Sequence, residues 1–192
     1  MPEVLELHGQ GASPGIARGP AHLVAPPAGR RKPASADPVR EKEALSAALA
    51  AAVEALRALA AASDLESAAI LEFQVEMLRD PLMIEPVLRR IEAGGDAASS
   101  WAAALDDYVS GFAGAEDEHV RARAADLLDM KERVLSVLTG EEWPDFPVGS
   151  VFVGPDIAPS HFLAHDWSRG GGIVLFNGST ASHVAMLARS RA

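Results

Sequence analysis

The sequence predicts a mixed α/β and all-α protein, in which an antiparallel helical bundle interrupts a small α/β domain. Both ends of the chain hold short β-branched stretches bounded by glycine and proline, and the middle holds apolar stripes that recur every three or four residues. A strand pair of about 20 residues buries too little surface to be stable alone, so the N-terminal end is expected to fold with the C-terminal end. The predicted units are residues 1–24 with 148–192, the helical residues 38–140, and linkers at 25–37 and 141–147.

The first elements follow from local sequence signals. Residues 4–24 predict two short strands, because glycine and proline repeatedly break the apolar runs. A long helix is predicted over 39–62, where leucine and valine form one narrow stripe and alanine makes the close contacts. That stripe consists of Leu45, Leu49, Val53, Leu56 and Leu59. A second helix from about Ser67 to Arg79 ends at Asp80, because the residue before proline avoids the helical conformation.

Three more helices and two strands complete the predicted order. A helix over about 82–92 ends at Gly94-Gly95, and Asp96 is suited to cap the next helix. The apolar side of that next helix consists of Trp101, Leu105, Tyr108 and Phe112. A last helix is predicted over about 116–138. Two buried strands are predicted at residues 150–153 and 172–176.

Composition indicates a globular protein of a reducing compartment. The 192 residues are 48% apolar and 23% charged, include no cysteine, and carry a formal charge of −10. The lack of cysteine excludes disulfides, zinc–thiolate sites and iron–sulfur clusters, and His161 and His165, four apart without an evident helix, do not predict a metal site. The negative charge argues against nucleic acid and anionic membranes as partners, and no stretch predicts a membrane span. Because the acidic N-terminus is unlike a secretory signal, a cytoplasmic location is expected.

His183 is the candidate chemical centre, because it follows a predicted strand and a turn of small residues at the start of an apolar helix. Such a position lies beside free backbone N–H groups and the positive end of the helix dipole, which favour phosphate. A neutral imidazole is also a competent nucleophile near neutral pH. Hydroxyl groups that can donate to phosphoryl oxygens lie on Ser179, Thr180 and Ser182. On these residues alone, a histidine that is only a polar cap at the turn remains the more common case.

Five segments occur in a characteristic order along the chain. Residues 11–17 read Gly-Ala-Ser-Pro-Gly-Ile-Ala, and residues 178–189 read Gly-Ser-Thr-Ala-Ser-His-Val-Ala-Met-Leu-Ala-Arg. Between them lie a helical segment at 69–81, the Arg-Ala-Arg-Ala-Ala-Asp segment that opens 121–129, and the Ile-Ala-Pro-Ser turn at 157–160. In this order the set resembles Enzyme I of the phosphoenolpyruvate-dependent phosphotransferase system. The last segment resembles the phosphohistidine signature of that family.

The resemblance implies a swivelling phosphohistidine domain interrupted by a helical domain that docks HPr, a small histidine-containing carrier protein. It implies that phosphoenolpyruvate, bound with Mg²⁺ in a barrel domain absent from this sequence, phosphorylates His183, which passes the group to HPr. The sequence would then be an N-terminal fragment with a truncated swivelling domain and no cofactor of its own. The family's docking surface falls on Ala69, Gln74, Met77, Asp80, Met83, Val120 and Arg123. Met77 and Met83, on either side of the Asp80-Pro81 break, can both be exposed at one corner, although methionines at helical spacing are more often part of the core.

Departures from the family pattern leave alternatives open. Ser179 replaces the second glycine of the signature, Ala181 replaces a threonine, and Phe162 stands where many members place a threonine that reaches the active histidine. The pattern therefore leaves the resting tautomer and the partner of His183 undefined. One alternative is the Enzyme I-like module of a multidomain phosphoryl donor to dihydroxyacetone kinase, which tolerates a looser signature. An alternative of another class is a non-catalytic helical module that only docks a partner.

Overall fold

A three-stranded parallel sheet joins the two ends of the chain. The computed structural model describes residues 6–24, 37–113, 118–141, 146–176, 179–180 and 182–190, without the side chains of 112–113, 118–123 and 125. The strand β1 (Ala21–Leu23) pairs with β2 (Val151–Gly154), which pairs with β3 (Gly172–Leu175), all in parallel. Because β1 precedes the helices and β2 follows them, the sheet contains both ends of the chain, as the sequence predicts.

Five consecutive helices separate β1 from β2, and two shorter helices accompany the later strands. The five are α1 (Pro38–Ala61), α2 (Leu65–Arg79), α3 (Pro81–Glu92), α4 (Ala97–Ala113) and α5 (Glu118–Thr139). The shorter ones are α6 (Pro159–Ala164), between β2 and β3, and α7 (His183–Ser190), after β3. The helix α7 after β3 was predicted, whereas α6 was not.

Aspartate side chains cap the starts of four helices. Asp37 accepts a hydrogen bond from the Val39 N–H at 3.0 Å, and Asp64 accepts one from the Ser67 N–H at 3.0 Å. The same contact begins α3 and α4, through Asp80 to the Leu82 N–H at 2.9 Å and Asp96 to the Ser99 N–H at 2.8 Å. Each such cap stabilises its helix by about 1 kcal/mol. Asp80 also ends α2 in an extended conformation, because Pro81 follows it.

The helical core contains residues of all the long helices, among them most of the predicted stripe of α1. Leu45 and Leu56 of α1 and Leu71 of α2 are at most 1% exposed, as are Trp101 of α4 and Met130 of α5. The Trp101 indole N–H also donates to the Lys131 carbonyl of α5 at 3.1 Å, so α4 is joined to α5 by a polar contact inside an apolar interface. Burying side chains of this size supplies most of the stability of a bundle.

The helix α1 is long and apolar enough on average to cross a membrane. Four residues of its stripe are buried in the core and Leu59 is partly buried, and α1 packs against both α2 and α5. Such burial is typical of the central helix of a bundle.

An aromatic cluster connects the sheet to the rest of the core. The ring of Phe146 stacks on His165 with centroids 3.8 Å apart, and lies edge-on to Phe152 of β2 at 5.2 Å. Trp167 contacts the same His165 ring at 4.5 Å and the Phe162 ring at 5.1 Å. Buried residues of the sheet, of α6 and α7 and of the long helices form one contiguous hydrophobic cluster.

Three local predictions were wrong. Among residues 6–24 the structure has one strand instead of two, because residues 6–20 contain no strand and include bends at 12–15 and at 19. Residues 4 and 5 of the predicted region lie outside the described residues. The strand β3 is not fully buried, since Val174 is 41% exposed on the outer face of the three-stranded sheet. Residues 159–164 form the helix α6, which Pro159 begins at the first helical position, where its missing N–H costs nothing.

Candidate functional site

His183 is the first residue of α7, and Ser182 caps that helix. The Ser182 hydroxyl oxygen accepts a hydrogen bond from the Ala185 N–H at 3.2 Å, which makes Ser182 the N-cap. The His183 side chain is 25% exposed, so it is reachable from solvent. The first N–H groups of a helix have no intrahelical partner and carry partial positive charge. His183 therefore lies where an anion is favoured.

The imidazole of His183 is held by a carboxylate from a different part of the fold. Its Nδ1 lies 2.9 Å from Oδ1 of Asp126, which projects from α5. The Asp126 side chain is only 1% exposed. The second oxygen of Asp126, Oδ2, is buried and has no hydrogen-bond partner among the described residues. His183 is thus the one described polar partner of this carboxylate.

A second buried carboxylate lies one turn further along α5. Oδ1 of Asp129 accepts from the Ser160 hydroxyl at 2.7 Å, and Oδ2 accepts from the Ser160 backbone N–H at 3.3 Å. Oδ2 also accepts from the Gln74 side-chain amide of α2 at 3.1 Å. Both oxygens of Asp129 are therefore satisfied, and this contact attaches α6 to α2 and α5.

Phe162 offers the histidine no hydrogen bond, because its side chain is a phenyl ring. The Phe162 side chain is 4% exposed and packs on Trp167, whose indole N–H donates to the Phe162 carbonyl at 2.8 Å. The contact that the structure describes for the His183 ring is the one with the Asp126 carboxylate on α5.

The turn before α7 is tied to the N-terminal segment by Arg189. Its guanidinium donates to the Thr180 carbonyl at 2.8 Å and to the Ala12 carbonyl at 2.9 Å. The turn closes with the Ser182 N–H donating to the Ser179 carbonyl at 3.2 Å. The three predicted hydroxyl residues thus lie on one turn directly before His183, whereas Ala181 is outside the described residues.

The pKa of Asp156, which follows the carboxyl end of β2, is raised in the folded chain. Loss of solvent raises the pKa of Asp156 above its ordinary value, although a hydrogen bond from the Ile157 N–H partly opposes the rise. A raised pKa means that the folded chain binds this proton more tightly than the unfolded chain. Ionisation of Asp156 therefore lowers the stability of the fold as pH rises through that pKa.

The residues predicted to dock a carrier are not all at the surface. Ala69 and Asp80 are exposed and Met77 is half-buried. Met83 is only 7% exposed, so the expectation that it shares an exposed corner with Met77 is wrong: Met83 is one of the α3 residues that form the core. Gln74 is fully buried and its side-chain amide donates to Asp129, so it cannot contact a carrier protein. The side chains of two further predicted docking residues, Val120 and Arg123, lie outside the described residues.

No group of three or more histidine, aspartate or glutamate side chains in the described part of the chain is arranged to hold a metal ion. The Mg²⁺ that the resemblance implies therefore has no ligand set among these residues.

Asp126 and Asp129 were missed as site residues in the sequence. The sequence signal was their position on α5. Both lie on the buried side of that helix, next to the apolar residues Leu127 and Met130 and one to two turns before Val134. An acidic residue on an apolar stripe needs a partner, since a buried charge is costly otherwise. Which residue supplies that partner depends on how α6 and α7 pack on α5.

The sequence matches a known protein family. A family model described as "PEP-utilising enzyme, N-terminal" matches residues 8–123, which is more than half of the chain. The chain belongs to this family. The match covers the α1 to α4 helices and the start of α5, and it stops three residues before Asp126.

Relatives of known name extend the similarity over nearly the whole chain. The phosphoenolpyruvate-protein phosphotransferase of Streptomyces coelicolor is 33% identical over 96% of this chain and 34% of its own length. The enzyme of the same name from Listeria innocua is 31% identical, with the same coverage of both chains. This chain therefore spans about a third of the length of these relatives.

Solved structures show the same fold. A solution structure of an Enzyme I protein (nEIt) matches with a TM-score of 0.65 and 26% identity, over 93% of this chain and 77% of that one. The N-terminal domain of the nitrogen Enzyme 1 matches with a TM-score of 0.64 and 23% identity, over 94% and 78%. The latter likeness shows the fold alone.

Proposed function

We propose that this chain is a phosphoryl carrier, which holds a phosphoryl group on His183 and exchanges it with a histidine-containing carrier protein of the HPr type. The observation that carries the proposal is the placement of His183 at the start of α7, partly exposed and hydrogen-bonded through Nδ1 to a buried carboxylate. The relatives named phosphoenolpyruvate-protein phosphotransferase support the same chemistry. In a longer protein of that type, phosphoenolpyruvate would supply the group from another domain.

The surroundings of His183 suit a phosphoryl group in charge and in hydrogen bonding. The N–H groups of the first turn of α7 can donate to phosphoryl oxygens, and the hydroxyls of Ser179, Thr180 and Ser182 are close in sequence. Ser182 already accepts from the Ala185 N–H, but its own hydroxyl proton can still be donated. Catalysis of this kind depends on positioning and charge stabilisation rather than on an additional protein nucleophile.

The domain division predicted above is part of this proposal. Residues 1–24 and 148–192 would form the phosphohistidine unit, 38–140 the helical unit, and 25–37 and 141–147 the linkers. The buried pairs of α5 with α6 and α7 would then be contacts between the two units. Such polar contacts can be broken and remade when one unit moves against the other.

The face of α2 that carries Ala69 is the best candidate for the carrier-docking surface. Leu65 is 89% exposed and Phe73 is 40% exposed, and with Ala69 they recur at four-residue spacing along one side of the helix. Leu82, at the start of α3, is 72% exposed. An exposed apolar row of this kind is typical of a protein-binding surface. We propose that HPr binds here, with Asp80 and half-buried Met77 beside the row.

The test is phosphoryl transfer from phosphorylated HPr to this chain at increasing HPr concentration. Phe73→Ala and Leu82→Ala should each raise the HPr concentration needed for half-maximal rate by roughly 10-fold, because truncating an apolar anchor costs more than about 1 kcal/mol of binding. The rate at saturating HPr should stay unchanged, since neither side chain is near the reacting atoms in sequence or in the described contacts. Val137→Ala, which truncates a 43% exposed valine on α5, is the matched control and should behave like the unaltered chain. No transfer in the unaltered chain would contradict the carrier function, and transfer with unchanged HPr dependence would contradict the docking surface.

A further inference from the structure

We infer that Asp126 is a positioning residue, which fixes the proton of His183 on Nδ1 and so makes Nε2 the atom that accepts the phosphoryl group. The inference deepens the proposed function and rests on it. It concerns a residue of α5, in the part of the chain that forms the helical bundle, acting on a histidine of α7.

The first support is the cost of burying Asp126. Its side chain is 1% exposed, its Oδ1 meets His183 Nδ1 at 2.9 Å, and its Oδ2 has no partner among the described residues. A buried carboxylate with one of two oxygens unsatisfied destabilises a fold relative to an apolar residue of similar size. Packing therefore does not explain an aspartate at this position, whereas the contact with His183 does.

The second support is the contrast with Asp129, three residues further along the same helix. Asp129 is as buried, at 3%, but it accepts three hydrogen bonds from Ser160 and Gln74. Its carboxylate connects α5 to α2 and α6, and none of its described contacts is with His183. Two carboxylates in matched surroundings thus have different partners: one stabilises the packing of α6, and the other orients the histidine.

The chemical consequence follows from the structure of imidazole. A carboxylate only accepts hydrogen bonds, so Nδ1 must carry the proton in this pair, and the lone pair of the neutral ring is then on Nε2. During transfer Nε2 forms a bond to phosphorus while the bond from phosphorus to the donor nitrogen breaks, and the electron pair of that bond returns to the donor. The Nδ1 proton stays in place. The ring becomes positive as the new bond forms, and the Asp126 carboxylate stabilises that charge.

The experiment measures the tautomer and the transfer rate in matched variants. The ¹⁵N chemical shifts of the His183 ring in the unphosphorylated chain should show Nδ1 protonated and Nε2 unprotonated. Asp126→Leu should lose this fixed tautomer and lower the rate of phosphoryl uptake from phosphorylated HPr by roughly 10- to 100-fold, the usual cost of a misplaced reacting group. Its thermal stability should be equal or higher, because the change removes a buried and half-satisfied charge.

Asp129→Leu is the control that separates positioning from packing. It should leave the His183 tautomer as in the unaltered chain and should lower thermal stability, because Ser160 and Gln74 lose their acceptor. An unaltered chain with its His183 proton on Nε2 would overturn the inference without any variant. Equal rates in Asp126→Leu and the unaltered chain would also overturn it. Neither result would contradict phosphorylation of His183, which is tested separately by replacing the histidine.

Discussion

Replacing His183 with alanine is expected to reduce phosphoryl uptake from phosphorylated HPr to background, while the fold is kept. The imidazole supplies the only atom to which the proposed phosphoryl bond forms, so no weaker version of the reaction remains. The fold survives because His183 is partly exposed at a helix start and its Ser182 cap does not involve the ring. The variant also leaves Asp126 buried without its partner, which is expected to lower the free energy of unfolding modestly.

A histidine elsewhere in the chain provides the control for this variant. His8 is exposed in the N-terminal segment, and His8→Ala should accept phosphate at the rate of the unaltered chain. Radiolabelled phosphate transferred to each chain is the measurement, with far-ultraviolet circular dichroism as the check on folding. A folded His183→Ala chain that still accepts phosphate would show that another residue is the acceptor.

Replacing Trp101 with alanine produces the largest expected loss of stability. The side chain is fully buried between α4 and α5, and its indole N–H donates to the Lys131 carbonyl at 3.1 Å. Removing a buried aromatic ring loses its transfer free energy and leaves a cavity, at a cost of about 3–5 kcal/mol. This is a large part of the 5–15 kcal/mol that typically separates folded from unfolded chains. Equilibrium unfolding in urea, followed by circular dichroism, measures the loss.

Trp101→Phe separates the two contributions. Phenylalanine keeps an aromatic ring in the core but has no N–H to donate, so it should cost clearly less than alanine does. A loss below about 1 kcal/mol for Trp101→Ala would contradict the packing described for α4 and α5.

Much of the helical architecture could be predicted because its signals are local. The stripe through Leu45 and Leu56, the helix break at Asp80 and the cap at Asp96 are each encoded within a few residues of the element that they define. The Ser182 cap that places His183 at the start of α7 is encoded in the same way. These features do not depend on contacts with distant segments of the chain.

The features that the sequence did not predict depend on contacts between distant segments. Asp126 and His183 are 57 residues apart, and nothing near either residue indicates that they meet. The burial of Met83 has the same origin: its exposure was expected from its place beside a helix break, whereas its burial follows from how α3 packs on its neighbours. Family resemblance was misleading at Gln74, because a residue mapped to a docking surface is here used inside the core to hold Asp129.

Locating the phosphate on the unaltered chain directly tests whether His183 is the residue that accepts it. After transfer from phosphorylated HPr, the chain is digested under basic conditions and the phosphorylated peptide is identified by mass spectrometry. We expect one modified peptide, which contains His183 and loses its phosphate in acid but keeps it in base. Phosphate on a serine or threonine, which would be stable in acid, or on a peptide that lacks His183 would contradict it.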